Sequence, residues 1–197
     1  MGGAVEFAEL AGLSRSERVE QLRRRMAAVP VRGETRNSRL RVTDESTSVE
    51  VMPVPGALSE VLPRGGLVRG SAILHSGVGS VLLGLLAAIT AGGGHAAVLG
   101  RPRLGLVAAV EMGAQLSRLA VVPDPGPDPV EVAAVLLDGM DLVVLGLDGS
   151  SVAPTRARAV IARARSKGCA LVVTDGQWPG PDLRLDGQVV GYEGLGR

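Results

Sequence analysis

Residues 74–83 read LHSGVGSVLL: a strand-length apolar run ends, Gly77 and Gly79 intervene, and a helix-length apolar run begins. A strand that turns through glycines into a helix opens many parallel α/β sheets, whose ligands lie at the carboxyl ends of the strands. Such a turn holds phosphates when it follows G-x-x-x-x-G-K-[ST]. Its glycines expose backbone N–H groups, its lysine neutralises charge and its hydroxyl holds magnesium. With the second glycine of that template on Gly79, Leu74 stands at the first glycine, Ser80 at the lysine and Val81 at the hydroxyl. Only Gly79 satisfies the chemistry. The one lysine of the chain, Lys167, is expected at the end of a distant helix, and only the helix N-terminus remains as a weak anion attractor.

Apolar runs alternate outward from this stretch. Strands are expected over 70–74, 95–100, 118–123, 141–147 and 169–175, and helices over 80–91, 104–113, from Asp128-Pro129 onward, and over 154–167. Asp128 suits an N-cap and Pro129 the first helical position, while Gly92, Gly93 and Gly94 stop the helix before them. This alternation predicts an α/β core, a mostly parallel sheet flanked by helices with right-handed crossovers. The end, LRLDGQVVGYEGLGR (183–197), alternates about Asp186-Gly187 and predicts a C-terminal edge hairpin. Its stop at Arg197 directly after a strand pattern reads as a truncated C-terminus.

Upstream, Ser14 and Glu17 have capping-box spacing, and Val19, Leu22, Met26 and Val29 recur at helical intervals. They predict an N-terminal amphipathic helix over 15–28. Residues 1–30 are read as a helical segment, 31–50 as a charged linker and 51–197 as the core. Arg15, Arg18, Arg23, Arg24 and Arg25, with Leu22 and Met26 on the apolar stripe, are candidate contacts to a partner or to nucleic acid. A solvated helix face is the plainer reading of the same charges.

The 197 residues carry a net charge of +1, 46% hydrophobic and 2% aromatic residues, so the core must be built from small branched side chains. A lone cysteine, Cys169, and a start without a basic n-region point to a cytoplasmic protein. The uncharged span between Arg69 and Arg101 is broken by glycines and histidines and reads as strand, helix and strand rather than as a membrane crossing. His75 and His95 stand in no ligand cluster, Ser76 and Ser80 have no evident base, and Cys169 reads as inert core. No catalytic residue, metal site or cofactor is expected. His75 reads as a strand-end histidine whose hydrogen bonds are satisfied, with an anion or partner contact in the crevice as the alternative.

Two stretches carry a resemblance. VLPRGGLVRGSAIL (61–74) resembles the run that leads into the phosphate loop of RecA-type ATPases, and WPGPDLRLDGQVVGYEGLG (178–196) resembles the C-terminal part of the bacterial ImuA family. That family comprises RecA-like mutasome accessory proteins; the arginine-rich, lysine-poor composition fits its actinobacterial ImuA-prime type. The resemblance spans roughly residues 51–197 and implies a RecA-like core. It places the phosphate-loop lysine on Ser80 and the hydroxyl on Val81. The catalytic glutamate falls on Arg101, the acid ending the fourth strand on Gly146 and the nucleotide-sensing glutamine on Asp175.

The resemblance therefore implies a RecA fold whose ATP-binding and hydrolysis positions are replaced. It implies a non-catalytic accessory subunit of a damage-inducible (SOS) mutagenic translesion DNA synthesis complex. The implied partner is an ImuB-like inactive Y-family polymerase, and through it an error-prone C-family polymerase and a sliding clamp, with nucleoid association in the complex. Self-association and a DNA contact stay open, as do a DNA-binding recombination modulator, a SulA-like cell-division inhibitor and an ATPase with noncanonical residues.

Overall fold

The computed structural model describes residues 49–191. The expected helix over 15–28 with its arginines, most of the linker and the last six residues lie outside that range. A short ribbon comes first: β1 (Val51–Met52) pairs antiparallel with β2 (Leu67–Val68), and α1 (Gly56–Val61) lies between them. The alternating core follows as β3 (Ala72–Gly77), α2 (Gly79–Ala91), β4 (Ala96–Leu99), α3 (Leu106–Glu111), β5 (Leu119–Val122), α4 (Pro129–Leu136), β6 (Leu142–Gly146), α5 (Pro154–Lys167), β7 (Ala170–Thr174) and β8 (Leu183–Gly187). Its six strands stand in the order β5-β4-β6-β7-β3-β8, all parallel. This α/β architecture is consistent with a RecA-like core.

Strand alternation divides the core between two faces. Leu142 and Val144 pack with Ile73, Val98, Val172 and the α2 residues Leu82, Leu85, Leu86 and Ile89. Val143 and Leu145 point the other way, onto α4 and α5 through Val130, Ala133, Leu137, Ala157, Val160 and Ile161. With both faces covered, the central strands are fully buried, which explains their unbroken apolar sequences. Each large side chain so buried contributes about 1.5–3 kcal/mol. Asp128 caps α4 by accepting the Glu131 N–H at 3.1 Å, with Pro129 in the first turn as its sequence required.

Two expectations need correction. The C-terminal hairpin is not formed among the described residues: Asp186 and Gly187 continue β8, in register with Ser76 and Gly77 of β3. The Asp-Gly turn signal is overridden because β8 is tied to β3 at both ends. Asp182 accepts the Ala72 N–H at 2.8 Å and donates its own N–H to the Ala72 carbonyl at 2.7 Å, while the Ser76 hydroxyl bonds the Asp186 carboxylate. For the same reason β3 runs on to Gly77 instead of ending at Leu74.

The amino ends of the strands are joined by a charged knot. Arg69 binds Glu50 and Asp141, both at 2.8 Å, and Asp141 accepts the His95 N–H at 2.8 Å. Burial pushes the Asp141 pKa up, but the His95 N–H and the Arg69 guanidinium outweigh it and hold the carboxyl below its ordinary value. A depressed folded pKa stabilises above the unfolded value of about 4, and that contribution is lost as pH falls through the folded value. Asp141→Asn is therefore expected to lose about 1 kcal/mol at pH 7, with a flatter acid limb. Urea titrations at neutral and acid pH measure both; an unchanged acid limb would refute the assignment.

Candidate functional site: the filled crevice

In an open parallel sheet, ligands enter at the carboxyl ends of the strands. Here that edge carries His75, Ser76 and Gly77 of β3, Arg101 after β4, Gly146 of β6, and Thr174 and Asp175 at the end of β7. The stretch that reads as a phosphate loop is barely a loop. β3 ends at Gly77, α2 begins at Gly79, and only Val78 lies between them. Leu74, placed by the template at the first loop glycine, sits inside the strand and packs against the core on the α4–α5 side. Gly79 has open space where a Cβ would go. Ser80 is exposed on the first turn of α2, and Val81 approaches β8 beside Gly187.

A phosphate loop needs several free backbone N–H groups curling round the anion. The Val78 N–H is instead spent on the Gly187 carbonyl at 3.2 Å. Gly77 permits this closeness. Its φ is +87°, and a Cβ there would lie 1.9 Å from the Gly187 oxygen, so the strand pair closes only over glycine.

The other positions to which the resemblance assigns ATP-site residues meet one another. Gly146 leaves no room for a side chain, since a Cβ there would lie 2.6 Å from the Gly100 oxygen and 3.1 Å from Cδ of Arg101. The Arg101 side chain thus passes over the position where the fourth strand would carry its acid. Its Nη1 donates to Thr174 Oγ1 at 3.3 Å and makes an ion pair with Asp175. Asp175 is one of two non-glycine residues with positive φ among the described residues, at 56°. Such a backbone costs roughly 1–2 kcal/mol, and it is held by the ion pair and by the Gly149 N–H, which donates to the Asp175 carbonyl at 2.6 Å. The residues read as separate losses, Arg101, Gly146 and Asp175, form one internal arrangement that puts a guanidinium in the crevice.

His75 lies beneath this arrangement, 2% exposed, in register with Thr174. Among the described residues neither ring nitrogen makes a hydrogen bond of good geometry, which corrects the expectation of a satisfied strand-end histidine. Burial first, and the Arg101 charge second, lower its pKa, although the nearby Val78 backbone partly offsets the fall. With the folded pKa below the unfolded value of about 6.5, stability is lost as pH falls below 6.5 toward the folded value. Arg101→Met is expected to move the His75 titration upward while leaving it below 6.5, because burial persists. NMR titration of the ring protons tests this, and an unmoved pKa would separate the two residues.

The remaining candidate chemistry is quiet. Cys169 is buried, with burial pushing its thiol up to about 12, so it is inert at neutral pH. Lys167 sits 3.5 Å from Asp138, away from the crevice. Among the described residues no group of three or more His, Cys, Asp or Glu could hold a metal ion, and no helix is long and apolar enough to cross a membrane. The arginines of α5 are largely committed: Arg156 pairs with Asp128, Arg163 with Asp138 at 2.9 Å and Arg165 with Asp182 at 2.6 Å. Paired guanidiniums make a poor phosphate track. They leave α5 little free positive charge with which to follow a nucleic-acid backbone.

Comparison with known proteins gives two findings. The family model described as the MT3502 N-terminal domain matches residues 60–180. A protein of Mycobacterium tuberculosis (strain ATCC 25618 / H37Rv), described as uncharacterized protein Rv3395c, is 52% identical over 180 residues, which cover 90% of this chain and 79% of that protein.

Proposed function

The chain belongs to the MT3502 N-terminal domain family, and from that footing we propose that it is a non-catalytic, RecA-like accessory subunit of the ImuA-prime type. It works by binding an ImuB-like inactive Y-family polymerase in a damage-inducible mutagenic translesion complex. One observation carries the reading: the carboxyl-end crevice of a preserved α/β sheet is filled by the ion pair of Arg101 with Asp175 passing over Gly146. A fold retained around a filled nucleotide site favours a scaffold over an enzyme. The resemblance of residues 61–74 and 178–196 to RecA-like mutasome proteins supplies the system. A cytoplasmic, nucleoid-associated location belongs to the same proposal, as do indirect contacts to a C-family polymerase and a sliding clamp.

Co-purification tests it. The full chain and an ImuB-like polymerase encoded in the same genome are expected to elute together from a sizing column without added nucleotide. Separate elution of two folded proteins would overturn the proposal. Inhibition of FtsZ polymerisation would instead favour the division-inhibitor reading.

A further inference from the structure

The short helix α3 turns its large apolar side chains outward. At helical spacing Leu106, Val107, Val110 and Glu111 share one side of it, and Ala109 lies opposite. Ala109 is the buried residue, packed with Ala87 of α2 and with Ala114. Val107 is 75% exposed and Val110 48%, and Leu106, Met112 and Leu116 are exposed beside them in the chain. A surface helix ordinarily sends its large apolar residues to the core and its charges to water. Singly exposed apolar residues, such as Val135 on α4, are common on any surface; a helix that gathers them marks a contact.

The support beneath this face is uncharged and fixed. The thirteen residues of α2 include no Asp, Glu, Lys or Arg. Met112 reaches back to that helix, with its Cε 3.4 Å from the place of a Cβ on Gly84. The Ala114 N–H bonds the Ala109 carbonyl at 2.8 Å, and the Gln115 N–H bonds Thr90 Oγ1 at 3.0 Å, which ties the end of α3 to α2.

Two charges bracket the apolar residues. Arg103 precedes α3 by three positions and Glu111 ends it; both are exposed, and neither has an ion-pair partner among the described residues. Opposite signs at opposite ends make the face complementary to itself. A second copy turned end for end sets its Glu111 against Arg103 and its Arg103 against Glu111, while Val107 and Val110 meet their counterparts across the twofold axis. A copy lying parallel would oppose like charges.

We infer that α3 is the interface of a twofold dimer of this chain. A foreign polypeptide has no need of an end-for-end match of charge, whereas a second copy supplies one by symmetry. A standard interface takes about 800 Å² from each partner. A six-residue helix and the turn after it offer less, so the dimer is weak, forming at micromolar protein concentration and dissolving on dilution.

Sedimentation velocity of the full chain, from low micromolar to millimolar concentration, tests this. The parent is expected to pass from monomer to dimer and no further, since a twofold contact closes on itself. Val107→Glu, at an exposed position, should keep the melting temperature and weaken dimerisation about a hundredfold, because it sets two carboxylates beside the axis. Arg103→Glu and Glu111→Arg should each weaken it about tenfold, since either one creates two like-charged contacts. Their combination should return it to near the parent value, a rescue that a foreign surface fitted to the parent charges would not show.

The dimer is overturned by a chain that stays monomeric throughout, by growth past the dimer, by association that Val107→Glu leaves unweakened, or by a combined reversal no better than the single ones. Loss of an ImuB-like complex on Val107→Glu, in a chain that is monomeric alone, would likewise overturn it and give the face to that polymerase. Because dimerisation is read on the chain alone, it stands or falls apart from the proposed complex.

Discussion

Gly77→Ala is expected to lower stability by about 4 kcal/mol or more, enough to unfold much of the protein population near room temperature. Two costs add. The backbone at Gly77 has φ +87°, where an L side chain is strained, and the new Cβ would sit 1.9 Å from the Gly187 oxygen and 2.9 Å from its carbonyl carbon. Relief would require β8 to move, and a Cβ on Gly187 is itself barred by Val78 Cγ2 at 2.8 Å. Gly79→Ala is the control: nothing lies within 4 Å of its Cβ position, so stability should stay within about 0.5 kcal/mol of the parent. Urea denaturation of the pair decides between two views of the same stretch. If the stretch wrapped phosphates, Gly79 would be the sensitive glycine. If it seats an edge strand, Gly77 is.

Gly146→Asp places an acid at the end of the fourth core strand, and it is expected to cost about 3–5 kcal/mol while creating no metal site. A Cβ at this position meets the Gly100 oxygen at 2.6 Å and Arg101 Cδ at 3.1 Å, and the carboxylate would follow into a space already crossed by the arginine. Combining it with Arg101→Ala should recover only part of the loss, because the Gly100 carbonyl stays where it is. Thermal melts of the single and double variants, with and without magnesium, measure this. A stable Gly146→Asp protein whose melting temperature rises with magnesium would contradict the account.

The alternation of strands and helices was legible because both faces of the sheet are covered, which makes each central strand an uninterrupted apolar word such as LVVLG in β6. Asp128-Pro129 announced α4 for the same local reason that caps are local. The ribbon of β1 and β2 was not legible, since two-residue strands have no periodicity to read. The fate of Asp186-Gly187 was misread because the residues that hold it, Ser76 and Gly77, lie far away in sequence. The resemblance assigned ATP-site positions to Ser80, Val81, Arg101, Gly146 and Asp175 one at a time. That Arg101 needs Gly146 as a passage and Asp175 as a partner is a contact between three strand ends, and only the fold brings these together. A glycine in place of an acid alongside an arginine in place of another was the available signal.

The crevice is filled from within by the Arg101–Asp175 pair. Calorimetric titration of the full chain with ATP and magnesium tests that claim most directly. No saturable heat, and no rise in melting temperature at millimolar ATP, is the predicted result. Stoichiometric binding in the micromolar range would contradict it, because the nucleotide would have to displace the Arg101–Asp175 pair and free the Val78 N–H from Gly187.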